Sequence, residues 1–161
     1  KAPVSGAEES SDPQGSPSEV IAGAVTVAVE QVLATIDNLP DDDDDETFTD
    51  RVRAVLADLR RLETITARAV RSSQGSPEVI KSLRLIRQRY GELMGRAAAA
   101  PGATLGQRLY TARNNASLSV AETAGAFDVD PDVLVAAETE QPVGGEDRRR
   151  IETLIADLSG G

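Results

Sequence analysis

The sequence has no cysteine, histidine or tryptophan, one methionine, and only four aromatic residues among its 161. Without His or Cys it can build no Ser-His-Asp or Cys-His catalytic site, no zinc finger, no haem or iron–sulfur ligation and no disulfide framework. Carboxylates, hydroxyls, Lys and Arg are the reactive groups that remain, and any core has to be aliphatic. No Gly-rich phosphate loop and no nucleophile elbow is present. A carboxylate pair could in principle run acid–base chemistry, but the densest carboxylates, Asp41 to Asp45, fall in a link between helices and not in a pocket. The expectation is a non-enzymatic protein with no cofactor and no metal.

Long hydrophobic runs are also missing. The best apolar stretch, Val20 to Val29, follows an acidic, Ser-rich lead and is closed by Glu30 and Gln31. It is too short and wrongly flanked for a membrane anchor or an export signal, so no membrane association and a cytoplasmic location are the default expectations. Lysine is nearly absent, with two against fifteen Arg. Together with the abundant Ala, that bias suits a bacterial genome of high G+C content.

The net charge of −10 is unevenly spread. Residues 1–46 hold one cation against twelve carboxylates, residues 47–100 eleven against five, and residues 101–161 five against ten. An acidic arm, a basic middle and an acidic C-terminal module are three different electrostatic objects.

Residues 1–16 are Ser, Pro, Gly and Glu with almost nothing to bury, which predicts a disordered acidic tail. Ser16-Pro17-Ser18-Glu19 then places a hydroxyl at the N-cap, Pro at the first helical position and Glu three residues after the cap. The spacing predicts a helix from Pro17 to about Asn38, with Val20, Ile21, Val25, Val29, Val32, Leu33 and Ile36 on a broad stripe. Leu39-Pro40 stops it, and residues 40–46 form an acidic linker. Asp41 to Asp45 suit a solvated turn; they lack the interleaved carbonyl ligands and Gly of a calcium loop. The run also suits an acidic determinant for a kinase acting on Thr47 or Thr49, where phosphate would sit at a helix start.

From Thr47 to about Arg71, Phe48, Val52, Val55, Leu59, Leu62, Thr66 and Ala69 alternate steps of four and three, with Leu56 and Ile65 widening the seam. Ser76-Pro77-Glu78 starts another helix by the same cap-and-proline device, and Val79, Leu83, Ile86, Tyr90, Leu93 and Ala97 repeat the spacing. Two such seams predict an antiparallel hairpin that self-associates through residues 47–97, with the first helix as a third member or a dimer contact. Arg51, Arg53, Arg60, Arg61, Arg68, Lys81, Arg84, Arg87 and Arg89 avoid the seams and decorate outward faces, where an anion, an acidic protein or the chain's own acidic arm could dock.

Residues 103–158 read as four short helices. Leu105, Leu109 and Ala112 face inward on the first, Ser119 and Glu122 form a capping box for the second, Asp130-Pro131 opens the third, and Glu146 to Leu158 makes the fourth. This stretch resembles the Xre/Cro-type helix-turn-helix family, through Leu105 to Arg113 for the opening helix, Leu118-Ser119 with Ala124 for the second, Phe127-Asp128-Val129 for the turn, and Val133, Leu134 and Glu138 on the third. The resemblance implies a helix-turn-helix fold and, in family members that read DNA, polar side chains near the start of the third helix. This chain has Pro131, Asp132, Val133, Val135 and Ala136 there, none of them a donor to base edges. Val120 stands where the family usually has a backbone-bracing Gln, Thr123 where it has Leu, and Asp128 where it has the turn Gly.

The fold expected is therefore all-α: a coiled-coil-like three-helix region over 17–100, then a small four-helix, helix-turn-helix-like domain over 103–158. The expected function is a regulator or adaptor whose degenerate module binds a protein partner through Val133, Val135 and Ala136, rimmed by Asp132 and Glu140. The alternative is a dimeric, sequence-specific DNA-binding regulator in which Arg108 and Arg113 contact phosphates.

Overall fold

A computed structural model describes residue 3, residues 16–72 and residues 76–160. The chain is all-α: the described residues form seven helices and no strand. These are α1 (Pro17–Asp37), α2 (Phe48–Ser72), α3 (Pro77–Ala99), α4 (Leu105–Asn115), α5 (Val120–Phe127), α6 (Pro131–Glu138) and α7 (Gly145–Ser159). The acidic tail expected over 1–16 lies outside the described residues apart from Pro3 and Ser16.

Local sequence sets the helix starts. Ser16 accepts from the Glu19 amide while Glu19 accepts from the Ser16 amide, and Pro17 occupies the first turn of α1. Thr104 with Gln107 opens α4 and Ser119 with Glu122 opens α5 by the same reciprocal pair. The similar-looking start of α3 differs: the Ser76 hydroxyl donates to the Glu78 carboxylate at 2.8 Å and caps no amide.

α1, α2 and α3 pack together as a bundle. Phe48, Val52, Val55, Leu59, Leu62, Thr66 and Ala69 are all buried on α2, and Val79, Leu83, Ile86, Leu93 and Ala97 on α3, with Tyr90 half-buried. Each large aliphatic side chain so buried contributes roughly 1.5–3 kcal/mol. The seams of α2 and α3 are spent inside one chain. Ile65, expected on the bundle face, is 60% exposed; a register one residue before Thr66 turns it away from α3. α1 joins as the third member through Val25 and Val29, with Val32, Leu33 and Ile36 packed at its edge, while Val20 and Ile21 stay outside. Leu39 folds back into the core beyond the end of α1.

α4 to α7 enclose a second core around Leu109, Leu134, Ile151 and Leu154, all at or near zero exposure. α4 touches α3, α6 and α7, so it connects the two cores. The rings of Tyr90 on α3 and Tyr110 on α4 meet edge to face, with centroids 5.5 Å apart, which adds a directional contact at this junction.

Candidate functional site

The site is built on the turn between α5 and α6. Asp128 ends α5 in the left-handed region at φ 51°, and the Val129 amide donates to the Ala124 carbonyl at 3.1 Å. That conformation ordinarily favours Gly; Asp is among the few L-residues that adopt it at modest cost. Asp130 then caps α6 by accepting from the Asp132 amide at 2.8 Å, with Pro131 at the first helical position. The result is two short helices joined by a tight, capped turn, with α6 laid across α4.

Its seat on α4 is unusually close. A Cβ added to Gly106 would come within 2.0 Å of the Ala137 carbonyl oxygen, so only glycine lets the two backbones approach this way. Leu134, Ala137 and Glu138 form the buried side of α6. Glu138 receives two charge-assisted hydrogen bonds from Arg113, at 2.6 and 3.1 Å, and Arg113 also donates to the Leu118 carbonyl at 2.8 Å. The Arg113 guanidinium lies 5.4 Å from the centre of the Tyr110 ring. Burial and the neighbouring Tyr90 push the Tyr110 phenol above its ordinary range.

These pairings decide the fate of the expected phosphate contacts. Arg113 is 9% exposed and Glu138 7%, so Arg113 is enclosed and engaged. Arg108 donates to both oxygens of Glu152 on α7, at 2.6 and 2.9 Å. That pairing holds the Glu152 carboxyl below its ordinary range and raises the Arg108 guanidinium further. Arg113 is thus enclosed and withheld from a phosphate, which corrects the role expected of it, whereas Arg108, its side chain 35% exposed, is paired with Glu152 at the surface. Both partners lie tens of residues away in sequence, so spacing alone gives no sign of them.

The expected partner face is narrower than the sequence suggests. Asp132 and Val135 are exposed, Val135 at 47%, and Ala136 is half-buried. Val133 packs against the second core, a correction that follows from its place one residue before the fully buried Leu134. Glu140 is no rim residue either. At φ 61° its carboxylate accepts from the Thr104 hydroxyl at 2.5 Å and lies 3.7 Å from Arg53 on α2, tying the module to the bundle. The C-terminal end of α6 opens onto a cleft of about 850 Å³ against α2, whose lining includes Ala54, Ala57, Ile65, Thr139 and Gln141.

The basic residues of the hairpin face outward except for half-buried Arg60, which donates to the Tyr90 hydroxyl at 3.3 Å, and half-buried Arg96, which lies over the Phe48 ring. Arg87 pairs with Glu63, Arg89 with Glu92 and Arg61 with Asp58. From the acidic linker, Asp43 pairs with Arg96 at 2.8 Å, a local form of the acid-on-base contact expected between arm and hairpin. Thr47 is exposed and donates to Asp45 at 2.6 Å, while Thr49 is half-buried against Gly102. Among the described residues no group of acidic side chains is arranged to hold a metal.

Residues 32–104 match a family model, MSMEG_6518_N, described as an N-terminal domain. A protein of Mycolicibacterium smegmatis (strain ATCC 700084 / mc(2)155) described as uncharacterised is 46% identical over 127 residues, which is 79% of this chain and 98% of the relative. The chain belongs to the MSMEG_6518_N family. The segment that defines the family runs from the last turns of α1 to Thr104, the residue that caps α4. The overlap with the relative is longer than the bundle, so the likeness extends into the C-terminal module as well. No solved structure matches the chain.

Proposed function

We propose that this chain is a non-enzymatic adaptor or regulator whose Xre-like module holds a protein partner on the outer face of α6. One observation carries the reading: the helix placed where a DNA-reading member would present donors to base edges offers Asp132 and Val135 instead, while Arg108 and Arg113 are held by Glu152 and Glu138. An apolar side chain flanked by a carboxylate suits a partner surface with an apolar contact beside a cation, and it opposes a phosphate backbone. The adjoining cleft over Ala54, Ala57 and Ile65 extends the surface available to that partner.

The test uses two exposed positions on α6. Partners retained by the full chain are compared with those retained by Val135→Glu and by Asp132→Arg, with helicity checked by circular dichroism. A partner kept by the parent chain and lost from both variants supports the reading. Partners retained equally by all three would contradict it.

One observation favours the DNA-binding alternative: Arg148 and Arg149 on the first turn of α7 are exposed and form no ion pair among the described residues. If they anchor a duplex, Arg148→Ala with Arg149→Ala weakens DNA binding and lowers its salt dependence by about one counterion for each phosphate no longer held.

A further inference from the structure

α1 carries a second stripe that the bundle leaves uncovered. Val20, Ala24, Val27, Gln31 and Ala34 step by four, three, four and three along the helix, and all five are exposed, Val20 at 57% and Val27 at 53%. The buried contacts of α1 run through Val25 and Val29 on another face. A helix with one heptad seam against its own bundle and another facing outward is shaped for a neighbouring helix. By length and composition α1 is also apolar enough to cross a membrane. However, its inner face is committed to α2 and α3, so lipid could not surround it.

We propose that the outer stripe of α1 pairs with the same stripe of a second copy, the two α1 helices running parallel about a two-fold axis. Three features on the stripe select that occupant. First, no charged residue lies on it, although α1 carries Glu19, Glu30 and Asp37 and no cation. An anionic bilayer surface, which draws helices by their Lys and Arg, finds no counterpart there. Second, Gln31 is the single polar member. In parallel register it meets its own counterpart, amide to amide, and both find a donor and an acceptor; in antiparallel register it would face an aliphatic side chain unpaired. Third, the acidic residues flanking the stripe, Glu30 and Asp37, fall on one edge, whereas Ile21, Ala28 and Thr35 occupy the other. Parallel pairing sets the acidic edge of one helix beside the neutral edge of its partner and so avoids repulsion. This pairing is independent of the partner face on α6.

The full chain is followed by sedimentation velocity from about 1 μM to about 1 mM. A concentration-dependent monomer–dimer equilibrium is expected, weakened at least tenfold by Val27→Glu, with helicity unchanged because Val27 is 53% exposed and belongs to neither core. Since the sequence has no cysteine, Gln31→Cys supplies a single thiol per copy. Mild oxidation is expected to link that variant into a covalent dimer, because equivalent positions at a parallel seam fall within disulfide reach. A chain that stays monomeric throughout, a dimer indifferent to Val27→Glu, or a dimer in which Gln31→Cys does not cross-link would overturn the proposal. Co-sedimentation with lipid vesicles that Val27→Glu abolishes, without a dimer in solution, would assign the stripe to a membrane and overturn it too.

Discussion

Two Arg–Glu pairs of the same chemistry sit in one small module, and their difference in burial makes a sharp prediction. Arg113–Glu138 and Arg108–Glu152 each form two charge-assisted hydrogen bonds, with a shortest contact of 2.6 Å in both. The side chains of the first pair are 11% and 8% exposed; those of the second are 35% and 44%. Glu138→Ala leaves the Arg113 cation enclosed between α4 and α6 with the Leu118 carbonyl and the Tyr110 ring but no counter-charge to meet it, a loss of about 3–5 kcal/mol. Glu152→Ala leaves Arg108 able to turn to water, a loss of about 0–1 kcal/mol. Urea unfolding followed by circular dichroism separates the two, since 3–5 kcal/mol shifts the midpoint by more than about 1 M at ordinary slopes. Replacing Arg113 and Glu138 together by Leu removes the desolvation cost along with the attraction and should recover most of the loss. Equal losses for Glu138→Ala and Glu152→Ala would refute the inference that burial makes the first pair the lock between α4 and α6.

Gly106→Ala drives a methyl into the Ala137 carbonyl and should cost more than about 2 kcal/mol, read as a lowered melting temperature with α6 loosened in hydrogen exchange. Asp128→Gly relieves the left-handed position and should raise stability by up to about 1 kcal/mol net of glycine's greater unfolded-state entropy, whereas Asp128→Val should lower it. Glu152, held down by Arg108, and Glu122, held down by the Ser119 amide and hydroxyl, have folded-state values below their unfolded ones. Their contribution is complete above the unfolded value of about pH 4.3 and is lost as the pH falls through the folded values. Acid titration of the parent chain and of Glu152→Gln should therefore converge at low pH; curves that stay parallel there would count against the linkage.

How much of this was legible in the sequence depended on the range of the cause. Helix starts rest on contacts three residues apart, so the boxes at Ser16 and Ser119 were readable, and so were both bundle seams, whose spacing is local. Ser76 shows the limit: the same Ser-Pro pattern exists, but the hydroxyl turns to the Glu78 carboxylate. Ile65 and Val133 were misplaced by a single position, because a broad stripe does not say where a helix face ends. The partner face lost Glu140 for another reason. Its ties to Thr104 and Arg53 reach 36 and 87 residues back along the chain, and nothing near Glu140 signals them. The enclosure of Arg113 was equally invisible, since Glu138 was readable only as one glutamate on the third helix of the module.

The most direct test of the central claim is a titration of the full chain against mixed genomic DNA fragments at about 50 mM and about 200 mM salt, with sequencing of whatever stays bound. The expected result is no retention, or weak retention that disappears uniformly at the higher salt, as suits a module whose Arg108 and Arg113 are occupied and whose α6 presents a carboxylate. Enrichment of a short palindromic sequence that survives the higher salt would contradict the protein-partner reading and make α6 or its flanks a reader of bases.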